Sequence, residues 1–488
     1  MKNIQPLQTA IPPNTPFPLK CWKPWRNIFQ AVYQIRRKNM YAFDKKDSYT
    51  FSFRSPDHLR LYLERNGYTL PFSKDLSPLG EKVSVKTPNG GIRKLKNAIA
   101  THPMEGCDAN TDGSPSELTR RRYERFSGSG AALIWMEAMA IAPEARTSDH
   151  QMLFTEANTD AFSRLVEDMK KNDVFAVAQL THSGRFSKNS STPHALFATR
   201  SLPFEEKRPQ DKDIPVLTDD YLDSLPEKFA KAAKIAENAG FDAVDVKACH
   251  QYLLDELLSA HTREGKYGGS FENRARLMID CFDAVRAVLK PETVLASRLS
   301  FSDMIEYPYG FAVSEGKPVT PDLTETKKLL EILHSKGLSL VNMTMGSPYF
   351  NPHVNRPYNR GSYEPPEHPF IGLERMVDAS REIQTEFPEI TLIGTGYSYL
   401  RQFAPYVASG ALQTNAASMI GFGRMAFAYD TFAKDMIAGK VDPKKVCIAC
   451  SKCAELKKRS LHTGCPIRDQ EIYLPLYKEH CMGKDISK

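Results

Sequence analysis

The run Lys247-Ala-Cys249-His250-Gln-Tyr252 ends a short apolar stretch that begins at Phe241. It places an ammonium, an imidazole and a phenol together where one strand leaves the core. Burying three titratable groups without a task is costly, so this exit marks a candidate site. A second concentration of chemistry is Cys447-Ile-Ala-Cys450-Ser-Lys-Cys453, followed by Gly464-Cys465-Pro466. The chain has nine cysteines and the other five are scattered. An odd count with one tight cluster reads as a metal or cluster site rather than a disulfide framework. The spacing is similar to iron–sulfur ligation. Four thiolates suit zinc equally well on ligand count, and free structural thiols are the third reading. A third set is Gly394-Thr-Gly396 and Gly421-Phe-Gly423-Arg424. Paired glycines let backbone approach a ligand closely, and an arginine beside them suits a phosphate; tight structural turns are the alternative.

The elements that position these groups alternate. Apolar, β-branched runs fall at 97–102, 131–141, 174–181, 241–248, 294–299, 338–343, 390–394 and 415–421. Amphipathic stretches lie between them at 160–172, 219–239, 273–289, 321–336, 373–387 and 425–438. Eight βα repeats predict an α/β fold, a (β/α)8 TIM barrel. A doubly wound open sheet is the alternative, and the lack of a GxGxxG turn disfavours it. Two long segments, 184–218 and 346–372, follow the third and sixth strands. Both would leave the C-terminal face of the barrel, where active sites sit, and are expected to act as lids or substrate contacts.

Hydrophobic residues make up 41% and charged residues 25% of the 488, enough apolar material for a large core. The net charge of +7 is uneven: residues 1–75 carry 13 Lys and Arg against 5 Asp and Glu. The body is therefore near neutral, which argues against a nucleic-acid groove across it. The expected organisation is a basic extension over 1–75, a barrel over 76–440 and a cysteine-bearing segment over 441–488. In the extension, Trp25, Ile28, Phe29, Val32 and Ile35 make an apolar helical stripe, followed by Arg36, Arg37 and Lys38. That helix would dock on the barrel or on a second subunit of a homo-oligomer, with a membrane surface the weaker reading. No run approaches the length needed to span a bilayer and no secretory signal opens the chain. The expected location is cytoplasmic.

The strand-4 exit continues into Tyr267-Gly268-Gly269-Ser270-Phe-Glu272-Asn273-Arg274. This order and spacing resemble the Old Yellow Enzyme family of NADH:flavin oxidoreductases and its dienoyl-CoA reductase relatives. Further landmarks follow that resemblance over about residues 76–466. Pro103-Met104-Glu105 resembles the end of the first strand, Glu137-Ala138 the second-strand motif, Gln179-Leu-Thr-His182-Ser-Gly184-Arg185 the third-strand motif, and Ser297-Arg298 the fifth-strand arginine.

The resemblance implies bound FMN. Pro103 and Met104 would lie against it, Ala138 under its ring, Gln179 on its pyrimidine, and Arg298 near N1 and O2. Gly394, Gly396, Gly423 and Arg424 would hold its phosphate. It implies an ene-type reductase in which NAD(P)H or a protein electron donor reduces the flavin and hydride passes to an activated alkene. Lys247 and His250 would polarise the acceptor oxygen and Tyr252 would give the proton. It also implies a [4Fe-4S] cluster on Cys447, Cys450, Cys453 and Cys465, with zinc the rival. The larger relatives add a second flavin domain that this sequence does not continue into, so a separate donor would feed a cluster; the basic extension is where an acidic carrier would dock. Three positions depart from the pattern. Lys247 stands where many relatives have His. Glu105 stands where many have Thr or Cys, and an acid there disfavours the reduced flavin anion unless paired. The cysteine run is one residue shorter than that of the cluster-bearing relatives. An amine dehydrogenase of the trimethylamine dehydrogenase type, a flavin and iron–sulfur electron-transfer subunit, and a ligand-binding barrel without FMN remain as alternatives.

Overall fold

The computed structural model describes residues 51–482 apart from Pro193. The predicted N-terminal stripe and its basic cluster lie outside them. A short antiparallel hairpin, β1 (Val83–Lys86) and β2 (Ile92–Leu95), precedes the barrel. Eight parallel strands then close on themselves: β3 (Ile99–Thr101), β4 (Leu133–Ala140), β5 (Phe175–Thr181), β6 (Ala243–Val246), β7 (Val294–Ser300), β8 (Leu338–Thr344), β9 (Thr391–Gly394) and β10 (Met419–Phe422), the last pairing with the first. Seven of the intervening helices are α1 (Glu117–Gly128), α2 (Thr159–Lys170), α3 (Leu225–Asn238), α4 (Phe271–Val288), α5 (Thr324–Ser335), α6 (Pro369–Glu386) and α7 (Ala404–Gln413). Two short helices, Arg424–Ala428 and Phe432–Ile437, complete the ring after β10.

The fold is the expected (β/α)8 barrel, and its physical basis is legible strand by strand. Every residue of β4, β5, β7 and β8 is buried, as both faces of a parallel strand must be when helices cover one and neighbours the other. Val85 and Leu95 of the hairpin join Leu133, Phe175, Ala243, Val294, Ile393 and Met419 in one cluster. The hairpin therefore plugs the N-terminal end of the barrel and leaves the C-terminal end for a site. Two predicted helices divide. The 219–239 stretch becomes Asp219–Asp223 and α3, because Pro226 fits a helix start and not an interior. The 425–438 stretch breaks at Tyr429, whose backbone is extended.

The cysteine segment folds back onto the barrel as α8 (Lys452–Lys458) and α9 (Gln470–Cys481). Leu456, Tyr473 and Tyr477 give these helices a small core of their own. Arg121 of α1 makes a bidentate bond to Asp469 at 2.8 and 2.9 Å, and the Thr463 amide donates to the Gly106 carbonyl at 2.7 Å. No described helix is long and apolar enough to cross a membrane.

Candidate active site and cysteine pocket

The loop after β3 is fixed from below. Arg122 on α1 is 2% exposed and pairs with both Asp108, at 2.7 Å, and Glu137 of β4, while donating to the Met104 carbonyl at 3.3 Å. The Gly106 amide donates to the second oxygen of Glu137 at 2.8 Å. A β-carbon on Gly106 would fall 2.3 Å from the Arg122 guanidinium, so glycine is required for this close approach. Burial, with Asp108 adding to it, pushes the Glu137 carboxyl up to about 7 against the pull of Arg122.

Above this base lies a cavity of about 950 Å³ at the C-terminal mouth of the barrel, at the upper end of the usual size of a small-molecule or cofactor site. Of the sequence-predicted residues, Pro103, Met104, Glu105, His250, Tyr252, Arg298, Gly396, Gly423 and Arg424 line it. The two long loops meet over it: Phe186 stacks on Tyr349 at 4.0 Å between centroids and Phe204 meets Phe350 at 4.9 Å.

Four predicted residues stand outside that lining. Gln179 donates one amide hydrogen to Asp245 at 2.6 Å, and Asp245 also accepts from the Trp135 indole and the Arg298 backbone amide, both at 2.7 Å. Ala138 packs with Phe186, Phe204 and Tyr252. Gly394 packs against Tyr397 and Ala417. Lys247 lies behind Tyr252, its ammonium 3.4 Å from that ring's centroid, and burial lowers its pKa.

The Tyr252 hydroxyl donates to Glu105 Oε1 at 2.7 Å and lies 3.0 Å from the Tyr349 hydroxyl. Burial, then Glu105 and Tyr349, hold its pKa well above the usual phenol, so it keeps its proton. Glu105 Oε2 meets Lys457 Nζ at 2.6 Å. Burial works against the ionised Glu105, but Lys457 and Lys247 outweigh it and its pKa falls below the usual range. His250 has a left-handed backbone, φ 68°, as does Gln251 at 59°, a conformation of measurable cost for residues with a side chain. Asp255 accepts from the Gln251 amide at 2.6 Å and Asp303 from its side chain at 2.5 Å, which holds the bend. Burial, then Arg298 and Lys247, keep His250 neutral.

Sequence reasoning missed His102, Tyr349 and Lys457, all of which line the cavity. His102 directly precedes the Pro-Met pair; Lys457 carries no local signal, being one lysine on a charged helix.

The four predicted cysteines all line a second, small cavity of about 20 Å³ with Phe427, Val446, Ile448, Pro466 and Ile467. Ala449 and Ser451, on either side of Cys450, both have positive φ, which wraps the chain around it. The Ala449 amide donates to Cys447 Sγ at 3.4 Å. Arg424, Phe427, Ser451 and Cys453 line both cavities. Among the described residues no group of three or more His, Cys, Asp or Glu side chains is placed to hold a metal ion.

Residues 90–415 match the model of the NADH:flavin oxidoreductase / NADH oxidase family. The chain belongs to that family. It is 34% identical over 212 residues to an NADPH dehydrogenase of Clostridium acetobutylicum, covering 43% of this chain and 61% of that one. With an NADPH dehydrogenase of Geobacillus thermodenitrificans it shares 30% over 258 residues, covering 52% and 70%. The alignment thus spans about three fifths of the first relative. Among solved structures, a 2-naphthoyl-CoA reductase complex superposes with TM-score 0.65 at 16% identity, over 80% of this chain and 57% of that one. Morphinone reductase superposes with TM-score 0.55 at 21% identity, over 74% and 91%. These two likenesses concern the fold.

Proposed function

We propose that this chain is an FMN-dependent oxidoreductase of the ene-reductase type, reducing an activated carbon–carbon double bond. The observation that carries the reading is a set of buried donors without a protein partner at the mouth of the barrel. Nε of Arg298 and Nη1 of Arg424 make no hydrogen bond within the protein, and both residues line the cavity with His102 beside them. Such groups are costly unless a ligand satisfies them. An anionic, hydrogen-bonding cofactor fits them. Beside them Gly421 and Gly423 are closed to larger residues, since a β-carbon would fall 2.1 Å from His102 and 2.7 Å from Met104. Arg298 and His102 would hold the ring system, and Gly396, Gly423 and Arg424 the phosphate.

When bound, FMN reduced by NAD(P)H or a protein donor supplies the hydride. The chain's own residues do the rest. Arg298 places a positive charge where the cofactor gains electrons, the kind of preorganised stabilisation that dominates such sites. His250 stays neutral and offers one ring nitrogen to the acceptor oxygen. Tyr252 holds the proton that the α-carbon receives, and Lys247 behind its ring steadies the negative charge that forms on the phenol. Phe186, Phe204, Tyr349 and Phe350 cover the mouth and exclude water.

In this reading Cys447, Cys450, Cys453 and Cys465, which line one small cavity, would hold a [4Fe-4S] cluster once the segment opens to admit it, with zinc the alternative. Arg356, Arg401 and Arg424 all lie within electrostatic reach of the thiols and would offset their charge. The two cavities share a wall, which suits electron passage between them.

The test is Tyr252→Phe, followed in separate half-reactions. Reduction of the flavin should persist while its reoxidation by 2-cyclohexenone slows by about a hundredfold, a typical contribution of a positioned acid. Equal loss in both half-reactions would contradict the assignment. Oxidation of methylamines in place of alkene reduction would instead favour the amine dehydrogenase reading.

A further inference from the structure

The acid that departs from the family pattern is not left alone. Glu105 lines the cavity, and its two oxygens have two different partners. One accepts the Tyr252 hydroxyl at 2.7 Å and the other meets Lys457 at 2.6 Å. The side chains of Lys457 and Glu105 are only 20% and 16% exposed, so solvent screens the pair weakly. The other charged or titratable groups facing Glu105 are Lys247, behind the Tyr252 ring, Arg298 across the cavity, Tyr349 on the neighbouring loop and Cys107 just along its own loop.

Lys457 comes from outside the barrel. It sits on α8, one helical turn after Cys453, and residues four apart share a helix face. Cys453 lines both cavities, and Lys457 reaches into the larger one. The same helix thus supplies one wall of the cysteine pocket and the counter-charge of Glu105. The segment that follows α8 is anchored independently, through the Thr463 amide on Gly106 O and the Arg121–Asp469 pair.

We propose that Lys457 is a positioning residue of the barrel's redox site: carried in by the cysteine segment, it neutralises Glu105 and, through Glu105, fixes the Tyr252 hydroxyl. This rests on the FMN reading above. An unpaired carboxylate on the cavity wall would oppose the negative charge that a flavin gains on reduction. Pairing it with Lys457 removes that opposition and keeps Glu105 as the hydrogen-bond acceptor that orients the phenol. The cysteine segment is then a structural part of the flavin site as well as a holder of thiols. A chain with Thr or Cys at this position would need no such cation.

The test is the midpoint potential of the bound flavin in the full-length, FMN-loaded protein, measured by spectroelectrochemical titration in four forms. The signs are fixed by the charge balance. Lys457→Met removes the direct ion-pair partner of Glu105, leaving only the more distant Lys247 and Arg298, and should lower the potential. Glu105→Gln leaves Lys457 unpaired and should raise it. The double variant removes both charges and should return near the parent value. Lys457→Arg, which keeps the charge, should restore the parent potential and reoxidation by 2-cyclohexenone. If flavin-loaded Lys457→Met keeps the parent potential, or the double variant fails to return, this proposal is overturned while the FMN reading stands. If Lys457→Met does not fold, an unchanged or lowered potential in Glu105→Gln overturns it equally. A parent protein that takes up no FMN overturns the flavin reading, and this proposal with it.

Discussion

Replacing Arg122 with Met should destabilise the protein in a pH-dependent way. The guanidinium is 2% exposed and bridges Asp108 and Glu137, with Met104 O as a third acceptor. Breaking a buried ion pair from one side costs about 3–5 kcal/mol, because the partner charge stays buried. Here some compensation survives: Thr119 Oγ1 still donates to Asp108 at 2.8 Å and the Gly106 amide to Glu137 at 2.8 Å. The loss should therefore fall near about 3 kcal/mol, the low end of that range. Unfolding entropy of about 2.1 cal/mol/K per residue, over the roughly 430 residues described, makes about 0.9 kcal/mol/K. The thermal midpoint should thus drop by about 3 °C at pH 8.

The sign of the pH effect follows from Glu137. Its carboxyl is raised to about 7 in the folded protein, so the folded state holds that proton more tightly than the unfolded one. The stability this gives is fully present below the ordinary carboxyl range and is lost as pH rises through about 7. Without Arg122 the carboxyl moves higher still, so the added penalty grows with pH and is relieved in acid. Calorimetry at pH 5 and pH 8 should show a clearly smaller deficit at pH 5. Arg122→Met with Asp108→Asn and Glu137→Gln, which removes charge from both sides, should recover more than half of the loss at pH 8. A deficit below about 1 °C, or one as large at pH 5 as at pH 8, would refute the reasoning.

Two further outcomes follow from the same geometry. Gly421→Ala should drive the new methyl into the His102 ring; overpacking of this kind costs about 1–3 kcal/mol, which should raise the FMN dissociation constant by about tenfold to a hundredfold in fluorescence titration. Cys450→Ser should abolish iron and acid-labile sulfide, assayed on anaerobically purified protein, while FMN is retained; about one zinc per chain and no sulfide in the parent protein would replace the cluster with a zinc site.

The barrel was legible because parallel strands buried on both faces leave continuous apolar runs such as Leu133–Ala140 and Val294–Ser300, and because each chemistry-bearing residue sits at the C-terminal end of one. Tyr252, Arg298 and Arg424 could be placed for that reason. The helix Glu117–Gly128 escaped because its sequence is mostly polar; it buries Arg122 among Asp108, Glu137 and the Tyr123 ring. The hydrogen bond from the Gln179 amide to Asp245, one strand away, could not be read from local sequence. Lys457 lies 352 positions after Glu105, and only the folding back of the cysteine segment brings the two together. Pairings between distant segments of this kind leave no periodicity to read.

The central claim is that the cavity at the barrel mouth holds FMN. Its most direct measurement is the visible absorbance of the protein purified without oxygen, with the released chromophore identified and quantified. The account predicts flavin bands and about one FMN per chain, or uptake of FMN to that level with a rise in the thermal midpoint when the cofactor is added. A colourless protein that neither takes up FMN nor gains stability from it would contradict the account.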